Sequence, residues 1–184
     1  MPIGINGSGT VTGISVGGLP DGIVDADMLA TKTFTSYAII CDKKGVDTAG
    51  GTFDNGADRT RDLNTEITDA DGIVSISSNQ FTLQAGTYLI KGSAPAFDVD
   101  RHAAWVYDVT AGANVGEVGA NAYANNTTDR SFFQVRVTIS SANVYEIRHR
   151  CNTSKTGNGF GVESNSSHIN RDSIYTVVEI YKEA

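Results

Sequence analysis

Ser131-Phe132-Phe133-Gln134-Val135-Arg136-Val137-Thr138-Ile139 decides the fold. Phe133, Val135, Val137 and Ile139 fall on one side of an extended chain, and Phe132, Gln134, Arg136 and Thr138 on the other. Successive strand side chains point to opposite faces, so this two-residue period makes one face for a core and one for solvent. Residues 144–151 follow the same rule: Tyr145, Ile147, His149 and Cys151 oppose Val144, Glu146, Arg148 and Arg150. Near the end of the chain, Ile174, Thr176, Val178 and Ile180 oppose Tyr175, Val177, Glu179 and Tyr181.

Outward from these segments the pattern is strand, turn, strand. Further strands are expected over 37–42, 73–76, 81–83, 87–97, 102–109 and 114–123. Residues 43–72 read as a long polar connection in which Phe53, Leu63 and Ile67 are lone apolar anchors. Residues 152–170 read as a Gly/Asn/Ser-rich loop. About eight short strands with turn signals between them point to an antiparallel sandwich or barrel.

Composition agrees. The 184 residues include 50 Val, Ile and Thr against 7 Leu and Met. β-Branched side chains suit a pleated surface, which argues against a helical bundle, a coiled coil or a helical solenoid. Gly is raised at 20 without a Gly-X-Y period, so collagen is excluded. A hydrophobic fraction of 40% with 19% charged residues suits a folded domain. The net charge of −7 lacks the basic footprint of a nucleic-acid binder. No apolar run is long enough to span a bilayer, and the first residues carry no secretory pattern. Cys41 and Cys151 are too few for a disulfide scaffold and read as free thiols inside strands. No internal repeat is visible, against a propeller or solenoid.

Residues 1–33 differ from the rest and read as an extended N-terminal arm ahead of a domain over 34–184. Thr12, Ile14 and Val16 share one face of a short Gly-spaced strand, and Pro20-Asp21-Gly22 is a turn. Val24–Ala30 is the best helical candidate, with Asp25 and Asp27 in its first turn, but it is too short to stand alone. A strand without a partner in its own chain implies a partner elsewhere.

Chemistry is sparse. The histidines are His102, His149 and His168, and no Gly-x-Ser-x-Gly elbow accompanies them. Cys151 two residues from His149 reads as a core thiol beside a half-buried imidazole. Asp98, Asp100 and His102 share one strand face and read as a solvated polar strip rather than a metal site. Asp69–Gly72 and Asp54–Asp58 read as Asx turns, since neither has the twelfth-position Glu of a calcium loop. Gly157-Asn158-Gly159-Phe160-Gly161 reads as a flexible tip, because no Lys-Ser/Thr or helix follows. Arg136, Arg148 and Arg150 at alternating strand positions form either a stripe that pairs with acids of a neighbouring subunit or a solvated face. The sequons at Asn126, Asn152 and Asn165 mark polar surface loops. Neither a catalytic set nor a cofactor or metal site is expected, and the protein is read as non-enzymatic.

Phe81-Thr82-Leu83-Gln84-Ala85-Gly86-Thr87-Tyr88-Leu89-Ile90 and the closing Ser173–Ile180 strand resemble the jelly rolls of the tumour necrosis factor-like and complement globular-head domains. The resemblance covers about residues 36–183. It implies an all-β, jelly-roll antiparallel β-sandwich that forms a homotrimer, with Tyr37, Tyr175 and Tyr181 at the trimer interface or, equally, in the monomer core. Gly9–Gly22 followed by Val24–Ala30 resembles the attachment regions of tailed-bacteriophage fibre and fibre-like virion proteins.

Together the resemblances imply a virion structural protein, assembled in the host cytoplasm. It is expected to be a short tail fibre or tip held to other virion proteins through Val11, Ile14, Val16, Leu19, Met28 and Leu29. Host contact, with a surface glycan or protein, falls to Asn152, Lys155, Asn158, Phe160 and His168 in the 152–170 loop. The alternative is a capsid decoration protein, favoured by the lack of any shaft between arm and domain. A glycan depolymerase and a secreted cytokine-like ligand are weaker readings. Neither nucleic acid nor membrane insertion is expected.

Overall fold

The computed structural model describes residues 33–184. The attachment-arm residues, from Val11 to Leu29, lie outside them. Every regular element described is a strand: β1 (Phe34–Lys44), β2 (Arg59–Thr60), β3 (Thr65–Thr68), β4 (Val74–Ser77), β5 (Gln80–Leu83), β6 (Gly86–Phe97), β7 (Asp100–Asp108), β8 (Ala113–Asn114), β9 (Ala122–Ala124), β10 (Thr128–Ile139), β11 (Asn143–Cys151) and β12 (Ser173–Glu183). A five-stranded sheet runs β10-β6-β12-β1-β3 and a seven-stranded one includes β4-β5-β11-β7-β8, with β2 on β11 and β9 on β7. All pairings are antiparallel.

The alternation of β10 sets its orientation. Phe133, Val135 and Val137 are buried, while Phe132, Gln134, Arg136 and Thr138 face outward. Tyr145, Ile147, His149 and Cys151 of β11 turn inward from the opposite sheet. Between them Ile40, Phe81, Leu83, Tyr88, Ile90, Val106, Val178 and Ile180 complete the main core. Burying each such side chain contributes about 1.5–3 kcal/mol against chain entropy. Gly92 permits a close approach: a Cβ there would collide with the Val177 carbonyl oxygen and stand 2.5 Å from the Phe133 ring. A separate, smaller cluster gathers Phe53, Ala96, Val99, Ala124 and Cys151, with Phe160 packed against it.

Several local expectations are corrected. The 43–72 connection contains β2 and β3, whose pairing comes from β11 and β1 rather than from local pattern. Ile67 is not an anchor but 51% exposed. The strand expected over 114–123 splits into β8 and β9. Between them Gly116 takes a positive φ, and the amides of Gly119 and Ala120 donate to the carbonyls of Ala104 and Phe132. The 157–161 segment is no loose tip. Gly159 and Gly161 are buried, and a Cβ on Gly159 would meet the Lys155 carbonyl at 2.6 Å.

Candidate functional site

The outer face of the five-stranded sheet follows from strand register. Phe132 lies opposite Ser93, which lies opposite Val177. The next row is Gln134, Lys91, Glu179 and Ile39, and the one after it Arg136, Leu89, Tyr181 and Tyr37. Phe132 is 60% and Tyr37 54% exposed. Tyr37 stacks on Tyr181 at 6.4 Å between centroids, and Phe34 tilts against Tyr181 at 5.3 Å. Lys91, Ser93, Phe132, Gln134, Val177 and Glu179 line a shallow groove of about 370 Å³. At the sheet's end Arg136 holds Glu183 through two hydrogen bonds of 2.7 Å. That pairing holds the Glu183 carboxyl below its ordinary range. The Tyr181 hydroxyl donates to Glu179 at 2.8 Å, which raises its pKa.

This face gathers two of the three expected interface tyrosines, Tyr37 and Tyr181. Tyr175 stands elsewhere. It is 3% exposed, its ring lies where a Cβ on Gly161 would collide, and its hydroxyl donates to the Thr48 carbonyl at 2.6 Å. Its ring is therefore already covered within one chain. Phe132, Leu89, Val177 and Phe34 join Tyr37 and Tyr181 on this face and lie outside the sequence expectation. Phe132 left a signal: an aromatic set among Gln134, Arg136 and Thr138 on the polar side of its strand.

The 152–170 segment is divided by the fold. Asn152 and His168 are exposed. Lys155 reaches back to Asp98 at 2.7 Å, which holds that carboxyl low. Phe160 turns inward, 4.5 Å from Phe53 and beneath the Arg61 guanidinium at 4.1 Å. The Asn158 side-chain oxygen is buried without a protein partner.

The arginine stripe is corrected. Arg136 belongs to β10 and Arg148 and Arg150 to β11, so they lie on different sheets. Arg148 pairs with Glu146 at 2.8 Å and covers Tyr107 at 3.2 Å, while Arg150 pairs with Asp58 at 3.3 Å. The Asp98–Asp100–His102 strip is corrected too. Asp98 and Asp100 take positive φ in a turn, and His102 is buried at 3% exposure.

His102 Nδ1 instead meets His149 Nε2 at 2.9 Å inside the sandwich. Burial lowers the His102 pKa to about 4 and holds His149 well below an ordinary imidazole. The Cys151 thiol is pushed up to about 11 by burial, and its weak hydrogen bond goes to the Phe53 carbonyl. This is a protonated thiol beside a neutral ring pair, with no contact that would activate it. No group of three or more metal-ligating side chains gathers among the described residues.

No protein-family model matches the chain, and no curated protein matches it. Solved structures do. Murine APRIL at pH 5.0 superposes with a TM-score of 0.51 and 6% identity, over 80% of this chain and 98% of that one. Murine APRIL at pH 8.5 gives 0.50 and 10%, over 79% and 98%. The globular domain of the zebrafish complement 1qA protein gives 0.49 and 11%, over 80% and 97%. At such identities the likeness is one of fold, and the described residues form a tumour necrosis factor-like jelly-roll sandwich.

Proposed function

We propose that the protein is a homotrimeric virion structural protein, a short tail fibre or tip, whose chains join through the outer face of the five-stranded sheet. Exposed Tyr37 beside half-exposed Tyr181 and Leu89 in one row, with exposed Phe132 two rows away on the same face, carries the proposal. Exposed aromatic side chains that cluster and are rimmed by polar pairs mark an association surface. The Gly-spaced arm supports attachment to a particle, by its resemblance to fibre-like virion proteins. Asn152 and His168 are the expected loop residues that remain open for host contact.

Light scattering on the purified chain tests the assembly. The expected mass is three times 19.4 kDa, and a 19.4 kDa species at micromolar concentration would overturn it. Immunogold labelling of particles tests the location. Label at the tail end is expected, and unlabelled particles would refute the virion role. Label distributed over the head would establish the decoration reading in its place, which the direct junction of arm and domain favours.

A further inference from the structure

We infer that His102 and His149 form an acid-sensitive latch that holds the 152–161 loop closed and lets it lift when the pair takes up a proton. Both rings are buried, at 3% and 0% exposure, and bond to each other at 2.9 Å. Their outer nitrogens, His102 Nε2 and His149 Nδ1, have no protein partner. In a neutral pair one ring donates its inner N–H and leaves its outer nitrogen bare, while the accepting ring carries its hydrogen on its own outer nitrogen. A proton added to the one bare outer nitrogen creates a cation with nothing to receive its hydrogen bond.

The surroundings offer that cation little help. Arg61, fully buried in the chain after β2, disfavours protonation of both rings. From β11, Cys151 contributes a neutral thiol. From the head of β10, Asp129 attracts a proton to His102 but is itself exposed, so water screens it. Phe53 at 4.6 Å and Phe160 at 6.4 Å cover the His149 ring, while His102 borders an open groove with Arg101, Trp105 and Arg150. A proton taken up on the His149 side therefore needs water, and that ring gains it by moving the aromatic cover.

The cover can move without dissolving the sandwich. Phe53 and Phe160 belong to the smaller cluster, apart from the main core. Around the aromatic cover, Phe53 and Lys155 exchange a pair of bonds at 3.0 and 2.9 Å, Phe160 donates to Gly51 at 3.0 Å, and two more tie Gly50 to Gly161 and Phe97 to Gly159. Opening it also releases Lys155 from Asp98 and the Phe160 carbonyl from Arg61, while Asn152 and Thr153 stay anchored to Arg101 and Val99. Local opening of such a unit costs less than global unfolding. Both folded-state pKa values are lowered, so the closed state has its full stability above the free imidazole value near 6.5. It loses stability as pH falls through 6.5 toward the value of about 4 held by His102.

Hydrogen exchange on the full-length protein at about pH 7.5 and about pH 5, corrected for intrinsic rates, tests the latch. Amides of Lys155, Phe160 and Gly161 should open roughly tenfold more often at the lower pH. Those of β6 and β10 should be unchanged. Equal protection at both pH values would overturn the latch, as would a rise of the same size in β6 and β10. The double variant His102→Gln, His149→Phe should lose the acid response, and its persistence would also overturn the inference. Circular dichroism reports whether that variant folds; if it does not, the wild-type comparison alone decides.

Discussion

Arg61 shows how one buried charge organises its surroundings. It is 0% exposed, and its guanidinium is solvated by protein rather than paired with a carboxylate. Nε donates to Thr176 Oγ1 at 2.8 Å, Nη1 to the Pro95 carbonyl at 3.3 Å and Nη2 to the Phe160 carbonyl at 3.0 Å. Those partners belong to β12, β6 and the 152–170 loop, so one side chain ties three parts of the sandwich together. Burial lowers its pKa to about 9, still protonated at neutral pH. Substituting Arg61→Leu removes the charge but strands three acceptors in a dry interior and loses the cover over Phe160. The expected loss is about 3 kcal/mol of stability. Urea unfolding measures it, and an unchanged midpoint would show that the acceptors find other partners.

At the scale of elements, turns do as much to set register as strands do. Asp69 closes the turn between β3 and β4: its two carboxylate oxygens accept the backbone N–H groups of Ile73 and Val74, each at 2.9 Å. Asp69→Ala leaves both amides unpaired and is expected to cost about 1–2 kcal/mol, whereas Asp69→Asn keeps one acceptor and should cost less. Equal shifts in thermal midpoint for the two variants would contradict this account. That turn was legible in the sequence because its chemistry is local. So were β10 and β11, whose alternation is long enough to fix their faces, and β12 from Thr176 onward; at its start Ile174 is 45% exposed and Tyr175 buried, the reverse of the expected faces. The short strands β2, β3 and β9 were not, because pairing with distant segments makes them, and β8 is a two-residue hairpin partner of β7, too short to show a period. Alternation also cannot say which sheet a strand joins, hence the false alignment of Arg136 with Arg148 and Arg150. His102 was misread for a related reason. Its neighbours in sequence, Asp98 and Asp100, are polar, but its neighbour in space is His149. On the candidate face the aromatics were visible as residues. Their gathering into rows depends on the β10-β6-β12-β1 order, which no single segment encodes.

For the whole molecule the two sheet exteriors differ in kind. On the seven-stranded sheet the outward arginines Arg148 and Arg150 are each already matched, to Glu146 and Asp58. The more exposed Arg150–Asp58 pair contributes little to stability but keeps the surface hydrated. The five-stranded sheet presents Phe132, Leu89, Tyr37 and Tyr181 instead, with exposed ion pairs toward its ends at Arg136–Glu183 and Lys43–Asp172. If the proposed trimer forms through that face, a carboxylate at its centre would be desolvated beside Tyr181 and its threefold copies. Leu89→Asp should therefore convert the assembly to monomers of 19.4 kDa in light scattering, with the far-ultraviolet circular dichroism of the sandwich retained. Arg150→Glu, on the opposite sheet, should leave the mass trimeric. A trimer that survives Leu89→Asp but dissociates with Arg150→Glu would place the contact on the seven-stranded sheet, because only there would the new charge be forced out of water.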